Sequence, residues 1–366
     1  MKSSSLEVAE ILESSSRAIA TWTIDQQYRD DDTMEARYGS SGRRMWNQEV
    51  VTRLAYLTEA VAMNYEQILI DNALWAKTAF TARELNLDDL YKNLDCMKSV
   101  LVEQLPKSIS NVTTPIITKA LECLLQNSTH LENPISHAGA SSDFARMYLM
   151  HLLKRDQMEA ERLITELTKN GLTFSQICEG VLVPAMAEIG YLWQIQEASI
   201  ADEHYCTNAT HRILEGLRGK TPRKELNGYL MVSASVCGDM HDLGIKIMSA
   251  IYEMQGWTVE CLGSNTPTQE IVNSVAPQIY RGGANLLALS ASTSLRIRAV
   301  QSVIACVRAT DAGKNIPILV GGPPFQNRND LWRLVGASAQ SSSASASLET
   351  ALALVAHSNH ANRRAT

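Results

Sequence analysis

Residues 228–244 read GYLMVSASVCGDMHDLG, which is the pattern of a strand, a polar loop and the start of a helix. Residues 229–233 form a short apolar run that is typical of a buried β-strand. The loop that follows carries Asp239 and His241, and Gly244 stands where the next helix would open. We therefore predict that this stretch begins a βαβ unit.

The same alternation continues towards the end of the chain. Further strand-like apolar runs occupy residues 258–262, 286–290 and 316–320. Amphipathic helical patterns lie between them at 243–255, 268–280 and 295–310. Strands that alternate with helices predict a parallel sheet with right-handed crossovers, so residues 225–366 are predicted to form a Rossmann-like (flavodoxin-like) domain. The glycine-rich motifs G-x-G-x-x-G and G-x-x-x-x-G-K-[ST] are absent, and a nucleotide is not the expected ligand.

Upstream of this domain the sequence is helical in pattern. Residues 143–220 contain four helical segments with short loops, which predict a four-helix-bundle cap. Residues 1–135 predict an all-helical domain, with long helices over 46–75 and 85–105 and a third over 116–125 that has Pro115 in its first turn. The predicted fold class is therefore α plus α/β, in three domains of 1–135, 143–220 and 225–366.

Charge and composition limit the possible functions. The 366 residues carry 33 Lys and Arg against 39 Asp and Glu, a formal net charge of −6. Because phosphate binding needs a basic surface, direct DNA binding is not expected. Seven scattered cysteines without a C-x-x-C pair favour a reduced, cytoplasmic protein. The sequence has neither a signal-peptide core nor an apolar stretch of the roughly 20 residues that span a bilayer, so no membrane association is expected.

The loop after the first predicted strand is the candidate site, because ligands of open parallel sheets bind outside the carboxyl ends of the strands. In this loop His241 stands between Asp239 and Asp242. A histidine whose second ring nitrogen is hydrogen-bonded to a carboxylate is held in one tautomer and is a better metal ligand. The alternative is that Asp239 or Asp242 caps the next helix and His241 has no role. The composition of the loop favours the metal site.

The order Asp-x-His-x-x-Gly, Ser-x-Ser and Gly-Gly within one α/β domain resembles the cobalamin-binding domain of methionine synthase and its relatives. The matching positions are Asp239, His241, Gly244, Ser290, Ser292, Gly321 and Gly322. This resemblance implies that His241 is the lower axial ligand of cobalt, that the aspartate and serines of the site, with neighbouring Asp242, contribute to cofactor binding, and that glycines leave room for the nucleotide tail. The chain departs from the family at residues 336–341, a Ser/Ala-rich stretch that is predicted to be a flexible loop.

A second motif lies in the predicted bundle, where Trp193 is followed after nine residues by Glu203 and His204. Helical spacing places Ile200, Glu203 and His204 on one face. Such a trio more commonly means an interior tryptophan and a surface Glu–His pair. The W-x9-E-H string, however, resembles the cap of coenzyme-B12 photoreceptors of the carotenoid-gene repressor type. The resemblance implies that Trp193 covers the adenosyl group of adenosylcobalamin, which Ile200, Glu203 and His204 adjoin. Those repressors have a histidine after the tryptophan that captures cobalt after illumination, and this chain has Gln194 there.

The N-terminal domain lacks the basic winged helix-turn-helix with which those repressors begin. A long helical domain before a cobalamin module resembles the photocobilins, in which a bilin lies close to the cobalamin. The aromatic and cationic candidates for a biliverdin site are Trp22, Trp46, Trp75, Tyr56, Arg43, Arg44, His130 and His137. The equally weighted alternative is that the aromatic residues are core and the arginines are solvated.

The leading functional hypothesis from these resemblances is an adenosylcobalamin photoreceptor. Light would break its cobalt–carbon bond, change the domain arrangement or the homo-oligomeric state, and signal to a protein partner. One alternative is a corrinoid methyl carrier of a methyltransferase system, which uses His241 but leaves Trp193 unexplained. Another is a cobalamin-dependent antirepressor that binds a transcription factor. None of these makes the chain itself an enzyme, although the second gives it a part in methyl transfer.

Overall fold

Two structural units follow one another along the chain, Met1–Leu131 and Glu132–Thr366. The computed structural model describes residues 2–126, 133–326, 328 and 330–364. Among these residues, no helix is both long enough and apolar enough to cross a membrane. The division into three domains stays a prediction, because the second unit contains both the predicted cap and the predicted Rossmann-like domain.

The first unit is helical, as its periodicity predicts. Its helices are α1 (Lys2–Asp30), α2 (Met34–Tyr38), α3 (Gly42–Met63), α4 (Gln67–Ala82), α5 (Leu87–Gln104) and α6 (Lys107–Gln126). The single long helix predicted over 46–75 is wrong, because Asn64 takes a left-handed conformation (φ 50°) and ends α3. Asparagine adopts that conformation more readily than other non-glycine residues, so it terminates a helix without interrupting the apolar pattern.

Pro115 does not begin a helix, which corrects the prediction of a helix over 116–125. It lies inside α6, which starts eight residues earlier at Lys107. Proline lacks the N–H of the regular helical ladder and usually breaks a helix interior. The buried side chains Ile109, Thr113 and Ile117 continue one face of α6 through the proline, and this packing holds the helix together.

The second unit begins with the predicted helical bundle. A 3₁₀ segment, Pro134–Ser141, leads into α7 (Ser142–Leu153), α8 (Gln157–Lys169), α9 (Phe174–Ile177), α10 (Val183–Gln194) and α11 (Ile200–Lys220). A π-helical turn, Cys178–Leu182, joins α9 to α10, so these two elements form the third of the four predicted helices. The turn ends two residues before Pro184, which cannot donate a backbone hydrogen bond to a regular α-helix.

A five-stranded sheet, parallel in every pair, follows the bundle. Its strands are β1 (Leu230–Val236), β2 (Thr258–Thr266), β3 (Leu286–Ser290), β4 (Ile318–Gly321) and β5 (Ala339–Gln340). The order across the sheet is β2-β1-β3-β4-β5. The connecting helices are α12 (Leu243–Met254), α13 (Thr268–Val275), α14 (Ile297–Arg308) and α15 (Leu331–Leu334), and α16 (Ala344–Arg364) follows β5. This is the flavodoxin-like order, and the predicted fold class is confirmed.

The sheet differs from the prediction chiefly in the length of β2 and in the presence of β5. β2 continues to Thr266, four residues beyond the predicted end at 262, because its pairing with β1 passes through two register shifts. The flexible loop predicted over 336–341 is wrong, because Ala339 and Gln340 pair with Leu319 and Val320 of β4. Their small and polar side chains lack the apolar pattern that predicts a strand. The strand forms because their backbone pairs with the edge of β4.

The bundle packs directly on the α/β part through a shared apolar core. Ile247, Ala250, Ile251 and Met254 on one face of α12 belong to the same buried cluster as the bundle residues, among them Ile213 and Leu217 of α11. A two-pronged ion pair at the edge of this contact joins Arg218 to Glu253, with N···O distances of 2.6 and 2.8 Å. The bundle therefore has a defined position above the sheet.

Candidate functional site

The sheet order determines where a site can form. β1 and β3 are neighbours in the sheet. From the carboxyl end of β1 the chain continues into α12, and from that of β3 it continues into α14. At such a switch point the two loops diverge and leave a crevice, which is where open α/β sheets bind ligands. The loops here are residues 237–242 after β1 and 291–296 after β3, and they carry the predicted Asp-x-His and Ser-x-Ser motifs.

Asp239, His241 and Ser292 come together in this crevice. Nδ1 of His241 lies 3.2 Å from Oδ1 of Asp239 and 3.0 Å from Oγ of Ser292. Ser292 donates to Asp239 through its hydroxyl at 2.7 Å and through its backbone N–H at 2.6 Å. The backbone N–H of His241 also donates to Oδ1 of Asp239, at 3.0 Å. One carboxylate therefore orients both predicted partners.

The charges in this group fix the tautomer of the histidine. Burial raises the pKa of Asp239, but hydrogen bonds from His241 and Ser292 bring that pKa below its ordinary value. The ionised carboxylate can only accept, so Nδ1 of His241 is the donor. The hydrogen bond to Asp239 also raises the pKa of His241, although burial opposes the rise. The lone pair of Nε2 is left free and more basic, as a metal ligand requires.

His241 offers a single ligand rather than a complete metal cage. No three His, Cys, Asp or Glu side chains in the described ranges converge in a way that could hold a metal ion. The side chain of His241 is 73% exposed, whereas that of Asp239 is only 1% exposed. One projecting nitrogen on a buried anionic support fits a metal whose other ligands come from a macrocycle.

Asp242 is directed away from His241. Its carboxylate lies 2.8 Å from Nζ of Lys246 and 3.3 Å from Nε2 of His211 in the bundle helix α11. Asp242 occupies the N-cap position of α12, but its side chain makes no capping hydrogen bond. The capping alternative therefore does not describe Asp242, and its predicted contribution to cofactor binding stays a prediction.

A cavity of about 430 Å³ lies behind the carboxyl ends of β3 and β4. Gly244, Ser290, Gly321 and Gly322 all line it, together with Ser341–Ala344 and residues of the bundle. Gly322 has φ 103°, and a Cβ there would stand 2.0 Å from the carbonyl oxygen of Ala291, so only glycine fits. A Cβ on Gly244 would meet nothing within 4 Å, which means that the missing side chain leaves space in the cavity.

The bundle contributes the second predicted group. Trp193 and Ile200 are 40% and 59% exposed, so both side chains present apolar surface. Glu203 accepts a hydrogen bond from Thr207 at 2.8 Å and lies 3.6 Å from His204. The hydrogen bond to Asp239 is the main cause of the raised pKa of His241, and the negative charge of Glu203 adds to that rise. The alternative interpretation predicts that Trp193 is an interior residue, and its exposure does not fit that position.

The sequence did not point to two residues that shape this loop. Ser235 donates to the backbone carbonyl of His241 at 2.8 Å. Asn265 accepts a hydrogen bond from the backbone N–H of Gly238 at 2.7 Å. Ser235 lies in β1 just beyond the predicted apolar run of 229–233, and Asn265 lies outside the predicted range of β2. The rule that sites form at the carboxyl ends of parallel strands would have indicated Asn265 if that end had been placed correctly.

The described candidates for a bilin site differ in their surroundings. Trp46 is fully buried and packs against Tyr38 and Phe80, with ring centroids 5.5 and 5.7 Å away, so it is a core residue. Arg43 pairs with Asp25 at 3.2 Å. Trp22, Arg44 and Trp75 are exposed, and Tyr56 is half-buried. His130 and the side chain of His137 lie outside the described residues.

Comparison with known protein families agrees with this geometry. Residues 145–218 match one family described as a B12 binding domain, which covers the bundle. Residues 229–348 match a second B12 binding domain family, which covers the sheet and the whole candidate site. The two matches adjoin each other in the order bundle and then sheet, and both lie within the second structural unit.

Individual relatives are corrinoid proteins. The chain is 25% identical over 161 residues to dimethylamine corrinoid protein 1 of Methanosarcina acetivorans, a match that covers 43% of this chain and 74% of the relative. It is 23% identical over 163 residues to the dimethylamine corrinoid protein of Methanosarcina barkeri, covering 44% and 75%. The solved monomethylamine corrinoid protein of Methanosarcina barkeri shares the fold, with a TM-score of 0.52, 17% identity, and coverage of 59% of this chain and all of that one. The chain is thus a cobalamin-binding protein that contains two B12 binding domains, over residues 145–218 and 229–348.

Proposed function

We propose that cobalamin binds over the loop 237–242 with Nε2 of His241 as the lower ligand of cobalt. The observation that carries this proposal is the hydrogen-bonded group of Asp239, His241 and Ser292, which leaves Nε2 free. Gly244, Ser290, Gly321 and Gly322 would hold the nucleotide tail of the cofactor in the cavity that they line. Asp239 and Ser292 would orient the imidazole and support its basicity.

His241→Ala tests this proposal directly. Cobalamin bound to the unaltered chain is expected to show a histidine-ligated spectrum, including the splitting by an imidazole nitrogen in the electron paramagnetic resonance of the cobalt(II) form. The substitution should remove that splitting and weaken binding. His357→Ala is the matched control, because His357 is an exposed histidine of α16 that is not among the predicted cofactor contacts, and it should leave the splitting unchanged. Histidine labelled with the heavy nitrogen isotope distinguishes this splitting from that of the cofactor's own benzimidazole nitrogen. A splitting that neither the label nor His241→Ala alters would exclude His241 as the ligand.

The first candidate role is that of a corrinoid methyl carrier in a methyltransferase system. Relatives named dimethylamine corrinoid proteins support this role. Cobalamin would supply a cobalt atom that accepts a methyl group from one partner and passes it to another. In this role His241 would hold the cobalt, and the bundle would cover the bound cofactor, which a methyltransferase partner would have to reach.

A second candidate role, light sensing with adenosylcobalamin, is favoured by the exposed side chains of the bundle. Trp193 and Ile200 present apolar surface, and Glu203 is near enough to His241 to affect its pKa. Adenosylcobalamin would supply a cobalt–carbon bond that green light breaks. Trp193 would then cover the adenosyl group, and Glu203 would accept hydrogen bonds from its ribose. Gln194 replaces the histidine of the light-sensing repressors, so a second histidine ligand after illumination is not expected at this position.

Comparison of two cofactor forms decides between these roles. A photoreceptor should bind adenosylcobalamin more tightly than methylcobalamin, and Trp193→Ala should reduce the affinity for the adenosyl form alone, by about tenfold. Green light should change both its absorption and its elution volume. A methyl carrier should bind both forms with similar affinity and show no light-dependent change in elution volume. Trp75→Ala, at an exposed tryptophan of the first unit, is the matched control.

The partner and a second chromophore belong to the same proposal. A light-dependent change in assembly would signal through a homo-oligomer or a bound protein. In the antirepressor version that protein would be a transcription factor.

Biliverdin in the first unit would use the exposed Trp22 and Trp75 rather than Trp46, which is buried in the core. Addition of biliverdin to the full chain should produce a far-red absorption band, and its absence would exclude the bilin.

A further inference from the structure

Asn265 makes two hydrogen bonds to the loop that carries His241. Its side-chain Oδ1 accepts from the backbone N–H of Gly238 at 2.7 Å. Its own backbone N–H donates to the carbonyl oxygen of Asp239, also at 2.7 Å. Asn265 thereby holds the loop on both sides of the peptide bond between Gly238 and Asp239.

The position of Asn265 depends on an irregular end of β2. The pairing of β1 with β2 shifts register between Ser233 and Ala234 and again before Val236. Asn265 itself has φ 48°, in the left-handed region that costs most non-glycine residues free energy. This conformation turns its side chain towards the end of β1 instead of leaving it in the alternating pattern of a strand.

The opposite side of the same turn is closed by Arg296. Gly238 has φ 80°, and a Cβ on it would stand 2.6 Å from Nη1 of Arg296. The turn therefore has a guanidinium group on one side and the Asn265 amide on the other. Because Asp239 follows Gly238 directly, displacement of this turn would displace the carboxylate that orients His241 and Ser292.

We infer that Asn265 is a positioning residue for the cobalt ligand, acting through Gly238 and Asp239 on His241. This inference rests on the proposed cobalamin site. Asn265 needs no contact with the cofactor for this role, because its effect is on the direction of Nε2 of His241. Without its side chain, the turn keeps only the backbone bond to Asp239 on this side, and the imidazole is held less firmly beneath the cobalt.

Asn265→Gly removes the side-chain acceptor and keeps a backbone that readily adopts positive φ. We expect its cobalamin affinity to fall by about 3- to 10-fold, the effect of one lost hydrogen bond. The share of cobalt(II) cobalamin with imidazole-nitrogen splitting should fall as well. Asn265→Asp keeps an acceptor for the Gly238 N–H and should restore the splitting. The matched control is Asn64→Gly, because Asn64 has φ 50° at the end of a helix in the first unit.

The outcomes separate the two proposals. Reduced splitting in Asn265→Gly, recovery in Asn265→Asp and no change in Asn64→Gly support the inference. If Asn265→Gly has the splitting and affinity of the unaltered chain, the inference is overturned while the cobalamin site stands. If the unaltered chain shows no imidazole splitting, the assignment of His241 fails, and the role of Asn265 fails with it.

Discussion

At the scale of single residues, His241 has to meet two opposing requirements. It must project towards a ligand, yet its ring must keep one orientation. Two side chains meet these requirements. The imidazole of His241 is exposed, whereas Asp239, which orients the ring, is buried and hydrogen-bonded by Ser292. A buried carboxylate is costly unless hydrogen bonds satisfy it, and four hydrogen bonds do so here. The cost of burial is thus offset by the contacts that fix the ligand.

Asp239→Asn should lower the pKa of His241. The hydrogen bond and charge of the carboxylate raise that pKa, and a neutral amide supplies no charge. In the unliganded chain, the midpoint of the His241 ring titration in nuclear magnetic resonance spectra should therefore move to lower pH. Ser292→Ala keeps the carboxylate and should move it less. An unchanged midpoint in Asp239→Asn would show that the two residues do not interact in solution.

Glu188→Gln should stabilise the folded chain at neutral pH. Glu188 in α10 is 4% exposed, and burial raises its pKa. A carboxyl group whose pKa is higher in the folded state destabilises the fold as pH rises from about 4.3, the ordinary value for glutamate, through the folded pKa. Glutamine keeps the oxygen that accepts from the Ile135 N–H at 3.3 Å and carries no charge.

The measurement for Glu188→Gln is thermal unfolding at pH 5 and pH 7. The gain in melting temperature should be larger at pH 7, where the glutamate of the unaltered chain is more fully ionised. Glu349→Gln, at an exposed glutamate of the same unit, is the control and should change little at either pH. Equal gains at both pH values would mean that ionisation of Glu188 is not the cause.

At the scale of secondary-structure elements, the cavity depends on the first turn of α12. Gly244→Val should block cobalamin binding, with affinity falling at least about tenfold, because the new side chain would extend into the space that the nucleotide tail needs. Gly216→Val is the matched control, since Gly216 also lies in a helix with open space at its Cβ. The circular dichroism spectrum should be preserved in both variants. Full cobalamin affinity in Gly244→Val would contradict the assignment of the cavity.

The elements that sequence patterns predict well are those whose neighbours lie along the chain. The βαβ alternation and the four bundle helices follow from periodicity, and residues 237–242 could be placed at the end of a strand. The errors arise where tertiary packing decides. Packing of one face carries α6 through Pro115, and pairing across the sheet extends β2 to Thr266 and creates β5 from Ala339 and Gln340. No local pattern records these contacts.

The candidate site divides in the same way. Asp239, His241 and Ser292 could be grouped from the sequence because motifs after neighbouring strands meet at one edge of a sheet. The direction of Asp242 towards Lys246 and His211 could not be foreseen, because His211 reaches it from a different layer. Asn265 was missed for a related reason, since its role depends on the register shifts between two strands.

At the scale of the whole molecule, the two B12 binding domains share one unit and one apolar core. Helix α12 contributes to both parts, because one of its faces packs on the bundle while residues of its other face, Ile245 and Tyr252, belong to the core beneath the sheet. Bundle and sheet are therefore expected to unfold together. The buried residues of these two clusters lie between Ile135 and Val355.

A fragment that comprises Glu132–Thr366 should therefore fold alone and bind cobalamin with the affinity of the full chain. Both buried clusters and all of the predicted cobalamin contacts lie within it. The measurements are thermal unfolding of the fragment, which should show a single transition, and a cobalamin titration that monitors the histidine-ligated spectrum. A shorter fragment that starts at residue 225 removes the bundle, exposes the apolar face of α12 and should aggregate or unfold. If the longer fragment folds but binds cobalamin much more weakly than the full chain, residues of the first unit contribute to cobalamin binding.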